Sequence, residues 1–227
     1  MDKKEFSKLK KNGYVIIPNF ISVQKCNKFE KILDKLEKKK IKLKDKYFLK
    51  SFIRGQVVIR DIICHHIEFL NLLSNNRLHK FIYSILQDQF IIDGVTASRP
   101  IKTFKNYPSP HIDSHLPIKD FNNTLDIVLQ LCVNDFNKNN GATYFWEKSH
   151  MSGIKCQVEK VNYKKFKKIQ VTAKKGSLII FLGQTWHQLG DNHLGNKRWG
   201  ILYHLKKWWI KPSSDYSKYF YKSFAKF

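Results

Sequence analysis

The chain has 227 residues, with 42 Lys+Arg against 18 Asp+Glu and a formal net charge of +24. Hydrophobic residues make up 42% and aromatics 14%, which supports a packed core at this length and argues against a disordered chain. No apolar run reaches the roughly 18 residues of a membrane-spanning helix, and the N-terminal stretch MDKKEFSKLKKNGYV lacks the apolar segment of a secretory signal.

In chain order, Gly13-Tyr14-Val15-Ile16-Ile17-Pro18 reads as a short strand closed by proline. Phe29, Ile32, Leu33 and Leu36 fall at helical spacing between lysines, one apolar stripe on a solvated helix. Leu78, Phe81, Ile82 and Ile85 repeat that spacing after the capping signal Ser74-Asn75-Asn76. From about residue 90 the period becomes two. Leu125, Ile127, Leu129, Leu131 and Val133 alternate with Asp126, Val128, Gln130 and Cys132. Asn137 to Gly141 is a turn signal, and Ala142 to Trp146 resumes an extended run. Gly176 to Leu182 and Trp199 to Leu205 read as two further strands. Many short strands after N-terminal helices predict a mainly β sandwich or jelly roll rather than alternating βαβ units. We expect one domain over 1–227: helical to about 90, jelly-roll core over about 91–206, and a basic aromatic tail over 207–227.

Cys26, Cys64, Cys132 and Cys156 are scattered and form no CxxC pair. They read as reduced thiols of a cytoplasmic protein. The positive charge is nearly all lysine, whereas phosphate forks and base edges favour arginine. Surface composition is therefore preferred to a nucleic-acid site, and an anionic small substrate fits either view.

The sharpest local pattern is His111-Ile112-Asp113. On a strand, residues i and i+2 share a face, so an imidazole and a carboxylate can grip one metal ion. Chance alone supplies about 0.5 such triplets in a chain of this composition, so the pattern needs company. His187 follows the apolar run 176–182, and with the triplet it completes two histidines and one carboxylate, the facial set of non-haem iron(II) oxygenases. Such a set leaves coordination positions for a 2-oxo acid and for dioxygen. Arg198 lies eleven residues further on, at the start of the next strand, where a guanidinium can take a carboxylate bidentately. Taken alone, His187 would be a core histidine and Arg198 a strand-pairing arginine.

With these residues in place, the chain resembles the phytanoyl-CoA dioxygenase family. The resemblance runs from about residue 8 to 206. It rests on the segment from Gly13 to Phe20, on His111-Ile112-Asp113, on Asn140-Gly141-Ala142-Thr143 leading to Ser149-His150, and on His187 with Arg198. It implies a double-stranded β-helix (jelly roll, cupin-like) that uses Fe(II), 2-oxoglutarate and O2, with ascorbate as an optional reductant. It also implies that His111, Asp113 and His187 bind iron, that Arg198 holds the far carboxylate of 2-oxoglutarate, and that Gln130 lies against 2-oxoglutarate. On the residues alone, Gln130 is equally a strand residue facing polar neighbours. The family's usual Pro-Gly before Ser149-His150 is missing, which puts that turn in question. The chain is also shorter than acyl-CoA-acting members, so a CoA ester is not implied. Because Asp113 is a carboxylate rather than the small residue of halogenating relatives, hydroxylation, or a related desaturation or cleavage, is favoured over chlorination.

The expected activity is thus hydroxylation of a small metabolite with release of succinate and CO2. The lysines of the loops 41–60, 99–120 and 150–172 point to an anionic one. Two alternatives stay open: a jelly roll that binds a ligand or nucleic acid without turnover, and an oxygenase acting on a macromolecule. His115 reads as a pocket or loop residue. His65, His66, His79, His150, His193 and His204 match no ligand spacing and read as structural or exposed. Trp186 alternates away from His187. The tail aromatics Trp208, Trp209, Tyr216, Tyr219 and Phe220 are expected to cover a sheet face rather than to bind bases.

Overall fold

The computed structural model describes residues 2–45, 50, 55–102, 109–115 and 118–216. The loops 41–60 and 99–120 lie partly outside these residues, and Tyr219 and Phe220 wholly so.

Helix α1 (Lys3–Asn12) starts with a capping box between Asp2 and Glu5 and stops at Gly13, whose φ of 85° ends the helix and turns the chain into strand β1 (Tyr14–Ile17). Helix α2 (Val23–Lys42) is capped by Ser22, and helix α3 (Asn76–Leu86) by the Asn75 side chain. The remaining strands are β2 (Gln56–Ile59), β3 (Phe90–Pro100), β4 (Asp126–Cys132), β5 (Tyr144–Trp146), β6 (Lys168–Gln170), β7 (Leu178–Leu182), β8 (His187–Gln188) and β9 (Gly200–Lys207). They form a six-stranded antiparallel sheet in the order β1-β7-β4-β9-β3-β2 and a three-stranded sheet in the order β6-β5-β8. The two sheets make a jelly roll with helices on its outside.

Alternation sorts each strand of the large sheet between two cores. Ile127, Leu129, Leu131, Leu178, Ile180, Ile201 and Tyr203 face the helices. Val128, Cys132, Ile179 and Phe181 face inward, against Tyr14 and Phe145. The strands are therefore buried on both sides. The expected boundary near residue 90 does not separate helices from sheet, because β1 and β2 precede it and form the two edges of the large sheet.

Helix α2 fixes part of the frame that carries the site. Phe29 and Leu33 are fully buried, and each such burial contributes about 1.5–3 kcal/mol. Solvent-accessible ion pairs such as Asp34–Lys197 give less than about 1 kcal/mol, so the apolar stripe supplies most of the attachment, and the acids, with Glu37 buried against Arg99, fix its register. Glu30, Asp34 and Glu37 all face the barrel. Glu30 meets Lys175 at 3.3 Å, Asp34 meets Lys197 at 2.9 Å, and Glu37 meets Arg99 at 2.5 Å. The helix spends its carboxylates inward, and the lysines between them remain outside.

The tail differs from expectation. Trp208 and Trp209 are 58% and 55% exposed, and their indole N–H groups both donate to Asp88, at 3.1 and 3.0 Å. A side-chain acceptor beyond the end of β9 holds them off the sheet. Tyr216 does pack against the core, and its hydroxyl donates to Asp61 and accepts from the Val95 N–H. All four cysteines are free. Among the described residues no helix is long and apolar enough to cross a membrane.

Candidate metal centre

His111 and His187 meet across an isolated antiparallel bridge in which each backbone N–H donates to the other's carbonyl at 3.0 Å. The Asp113 and Ser114 N–H groups both donate to the Gly183 carbonyl, at 2.9 and 3.0 Å. A stretch without regular strand pairing is thus tied at both ends to the β7–β8 corner. The imidazole centroids stand 4.3 Å apart. Asp113 Oδ1 lies 3.8 Å from His111 Nε2, and Oδ2 lies 3.5 Å from His187 Nε2. One ligand atom from each residue falls within 4.8 Å of the others, a cluster that could hold a metal ion.

Both rings are held by their other nitrogen. His111 Nδ1 donates to the Ser109 carbonyl at 3.1 Å and His187 Nδ1 to the Thr185 carbonyl at 3.0 Å. This selects the tautomer that leaves each Nε2 lone pair turned toward Asp113. Asp113 Oδ2 is buried and has no hydrogen-bond partner. An orphaned buried carboxylate oxygen beside the His187 Nε2 is costly unless a cation joins it, so the donor set fits a divalent metal.

The protonation states agree. Burial pushes His187 down to about 4, against the pull of Asp113. Burial disfavours the Asp113 charge, but the surrounding His187, His204 and His111 outweigh it and hold the carboxyl below its ordinary range. A neutral imidazole and an ionised carboxylate are the forms that ligate.

Arg198 is 1% exposed. Its Nε donates to the Asn140 carbonyl at 3.4 Å and its Nη2 to the Gly141 carbonyl, while the guanidinium lies 4.1 Å over the Phe136 ring. Gly141 has a φ of 87°, and a Cβ there would stand 3.3 Å from Arg198 Nη2 and 2.6 Å from Pro100. The Asn-Gly turn is therefore built to let the arginine through. Gln130 accepts from Thr143 Oγ1 at 3.3 Å. Gly200 lies between the two: a Cβ on it would be 3.6 Å from Arg198 Nη1 and 3.8 Å from Gln130 Nε2.

The turn at Ser149-His150 is kept without its glycine. Lys148 takes the left-handed conformation, with φ 65°. Ser149 Oγ accepts from the Trp186 N–H at 2.9 Å, and His150 Nε2 donates to the Lys10 carbonyl at 3.0 Å. Trp186 belongs to a separate apolar cluster with Ile112 and Trp146.

Three residues near the cluster were given no site role from the sequence, His204 among them, which reads there as structural or exposed. His204 Nδ1 lies 3.9 Å from Asp113 Oδ2. Asp126 is pushed up to about 7 by burial, opposed by a hydrogen bond with Ser114 and reinforced by Asp113. Lys206 is 2% exposed and pairs with Asp93 at 2.8 Å. For His204 and Lys206 the signal was present: counting in twos from Arg198 along β9 gives 200, 202, 204 and 206, all on one face.

The chain is 22% identical to the uncharacterized protein YJR154W of Saccharomyces cerevisiae, over 92% of this chain and 65% of that one. It thus spans a little under two thirds of that relative's length. The fold is similar to HygX from Streptomyces hygroscopicus with nickel and 2-oxoglutarate bound, with a TM-score of 0.72 and 12% identity over 93% of this chain and 89% of that one. It is also similar to the epimerase SnoN in complex with Fe3+, alpha ketoglutarate and nogalamycin RO, with a TM-score of 0.70 and 10% identity over 90% and 83% of the two chains. A family model described as phytanoyl-CoA dioxygenase matches residues 9–198, and the chain belongs to that family.

Proposed function

We propose that this protein is an Fe(II)- and 2-oxoglutarate-dependent oxygenase that hydroxylates an unactivated C–H of a small metabolite, releasing succinate and CO2. The observation that carries this reading is the convergence of His111, Asp113 and His187, with both Nδ1 atoms held by carbonyls and a buried, unpartnered Asp113 oxygen 3.5 Å from His187 Nε2. Membership of the family supports it, as do 2-oxoglutarate and iron or nickel in similarly folded proteins.

In this reading His111, Asp113 and His187 are the metal ligands. The bound iron, with 2-oxoglutarate and O2, supplies the oxidising power. The chain supplies position. Arg198, immobilised by two carbonyls and the Phe136 ring, takes the distal carboxylate of 2-oxoglutarate, a bidentate grip that lysine could not reproduce. Gln130, on the inner face of β4, lies within reach of the same cosubstrate. The Nδ1 hydrogen bonds keep both imidazoles from rotating away, and the two apolar cores exclude bulk water.

The test is anaerobic reconstitution with Fe(II) and 2-oxoglutarate. The wild-type protein gives the weak visible charge-transfer band of such complexes, and His111→Ala, Asp113→Ala and His187→Ala each abolish it. A wild-type protein with neither the band nor measurable 2-oxoglutarate binding refutes the oxygenase reading.

A further inference from the structure

One loop holds the residues that stand next to the three metal ligands. His111 and Asp113 turn their backbone to the β7–β8 corner: His111 exchanges both hydrogen bonds with His187, and the Asp113 N–H donates to Gly183. In an extended chain the residue between them turns its own N–H and carbonyl to the opposite edge. Among the described residues no strand pairs along that edge. The side-chain amide of Gln157 takes the place of one. Its Oε1 accepts from the Ile112 N–H at 3.2 Å, and its Nε2 donates to the Ile112 carbonyl at 3.1 Å. A primary amide carries both an acceptor and a donor, so one side chain satisfies both backbone groups.

The same loop takes the side chains of Ile112 and Trp186. Both are buried, and they pack with Trp146 and Cys156 in one apolar cluster. Trp186 Nε1 donates to the Ile154 carbonyl at 3.0 Å, and the Tyr163 hydroxyl donates to the Cys156 carbonyl at 3.1 Å. Ile112 stands between His111 and Asp113, and Trp186 directly precedes His187. Residues 154–157 thus hold the immediate neighbours of all three ligands, through one apolar cluster and three hydrogen bonds.

A buried peptide group that loses its partners costs free energy unless its segment moves to find others. Such a move at Ile112 carries His111 and Asp113 with it, whereas His187 stays paired with Phe145 on β5. The register of two ligands against the third therefore depends on the Gln157 amide. Resting on the oxygenase reading, we propose that Gln157 is a positioning residue: it holds the His111–Asp113 segment in place against His187 and so couples the loop 154–163 to metal binding. The coupling is reciprocal, and what the loop gains in order from the metal, the metal gains in affinity from the loop. That loop lies within 150–172, one of the stretches expected to select the substrate, so metal occupancy and the shape of the substrate-facing surface are set together.

The experiment titrates the full chain with Co(II), whose visible spectrum reports both affinity and ligand geometry. Gln157→Met keeps the length of the side chain and removes both hydrogen bonds. Gln157→Glu keeps the acceptor and loses the donor. Gln157 is itself exposed, so neither change empties a core. In Gln157→Met the Co(II) dissociation constant is expected to rise at least threefold with a displaced visible band, and in Gln157→Glu by a smaller factor. Hydrogen exchange followed by mass spectrometry gives a second readout: Co(II) slows exchange across 154–163 at least threefold in the wild type and does not in Gln157→Met. A wild-type spectrum in Gln157→Met, or a loop that responds to Co(II) as the wild type does, overturns the inference and leaves Gln157 a surface tether. Should Gln157→Met fail to fold, Gln157→Glu is judged by the same two criteria. A wild-type protein that binds no Co(II), or binds it equally well after His187→Ala, refutes the metal centre itself. Loss of the inference alone leaves wild-type binding of Co(II) and 2-oxoglutarate intact.

Discussion

Asp34 on α2 accepts a hydrogen bond from Trp199 Nε1 at 3.0 Å, and its other oxygen holds Lys197 at 2.9 Å. The two residues flanking Arg198 are therefore clamped by one carboxylate from a helix outside the barrel. Trp199→Phe removes the hydrogen bond but keeps most of the buried ring. The expected cost is about 1 kcal/mol in stability, seen as a lower urea midpoint. The Michaelis constant for 2-oxoglutarate should rise more than the affinity for metal falls, because the loosened residue adjoins Arg198 and not the histidines.

Arg198→Met keeps the volume and removes the charge. Hydrogen bonds to a charged group contribute about 1.5–3 kcal/mol, so 2-oxoglutarate should bind roughly 10- to 150-fold more weakly by calorimetry. Co(II) affinity, read from its visible spectrum, should change by less than about threefold. Equal losses of both would place Arg198 in the general frame of the barrel rather than on the cosubstrate.

Gly183 has no conformational need for glycine, but a Cβ there would overlap Asp126 Oδ1. The Gly183 carbonyl also accepts from both Asp113 and Ser114. Overpacking of this kind costs about 1–3 kcal/mol. Gly183→Ala should lower the melting temperature and weaken metal binding, and the double variant Gly183→Ala/Asp126→Gly should recover part of both losses.

His150 joins the end of α1 to the barrel through the Lys10 carbonyl, and its Nδ1 is buried without a partner. Burial holds its pKa below the ordinary 6.5, against the raising effect of the Lys10 bond. Because the folded pKa is depressed, the unfolded chain takes up the proton first. Stability is therefore full above about pH 6.5 and declines as pH falls below it. Urea unfolding between pH 7.5 and 5.5 should show this slope, and His150→Gln should flatten it by at most one proton per chain.

The regular parts of the fold were legible because their signals are local. Leu78, Phe81, Ile82 and Ile85 are all buried on α3, and the alternation from Leu125 to Val133 contains β4. Strands β6 and β8, of three and two residues, are too short to carry a period. The bulge at Asp93 breaks the one that β3 would have shown. The His111, Asp113 and His187 grouping was legible from spacing and resemblance, and the chain does bring them together. The acids behind them were not: Asp126 looks like one polar step in an alternating strand, and only the β4–β9 register makes it a neighbour of Lys206. Lys148 shows the opposite case, where a missing glycine signal hid a turn that the chain forms at φ 65°, a conformation that disfavours side chains with a Cβ.

Strand β1 sits at the edge of the large sheet and pairs with β7, from Tyr14 opposite Phe181 to Ile17 opposite Leu178. During synthesis, the first strand of the barrel to leave the ribosome has no partner until residue 181 has been made. His111 likewise waits for His187. Closure of the sheet edge and assembly of the His111–Asp113–His187 cluster therefore fall within a few residues of translation of each other. Such late, long-range pairing is slow and leaves an open edge meanwhile. Metal supplied during translation can capture the chain only after that point, so iron limitation would act on the finished barrel rather than on its nascent first half.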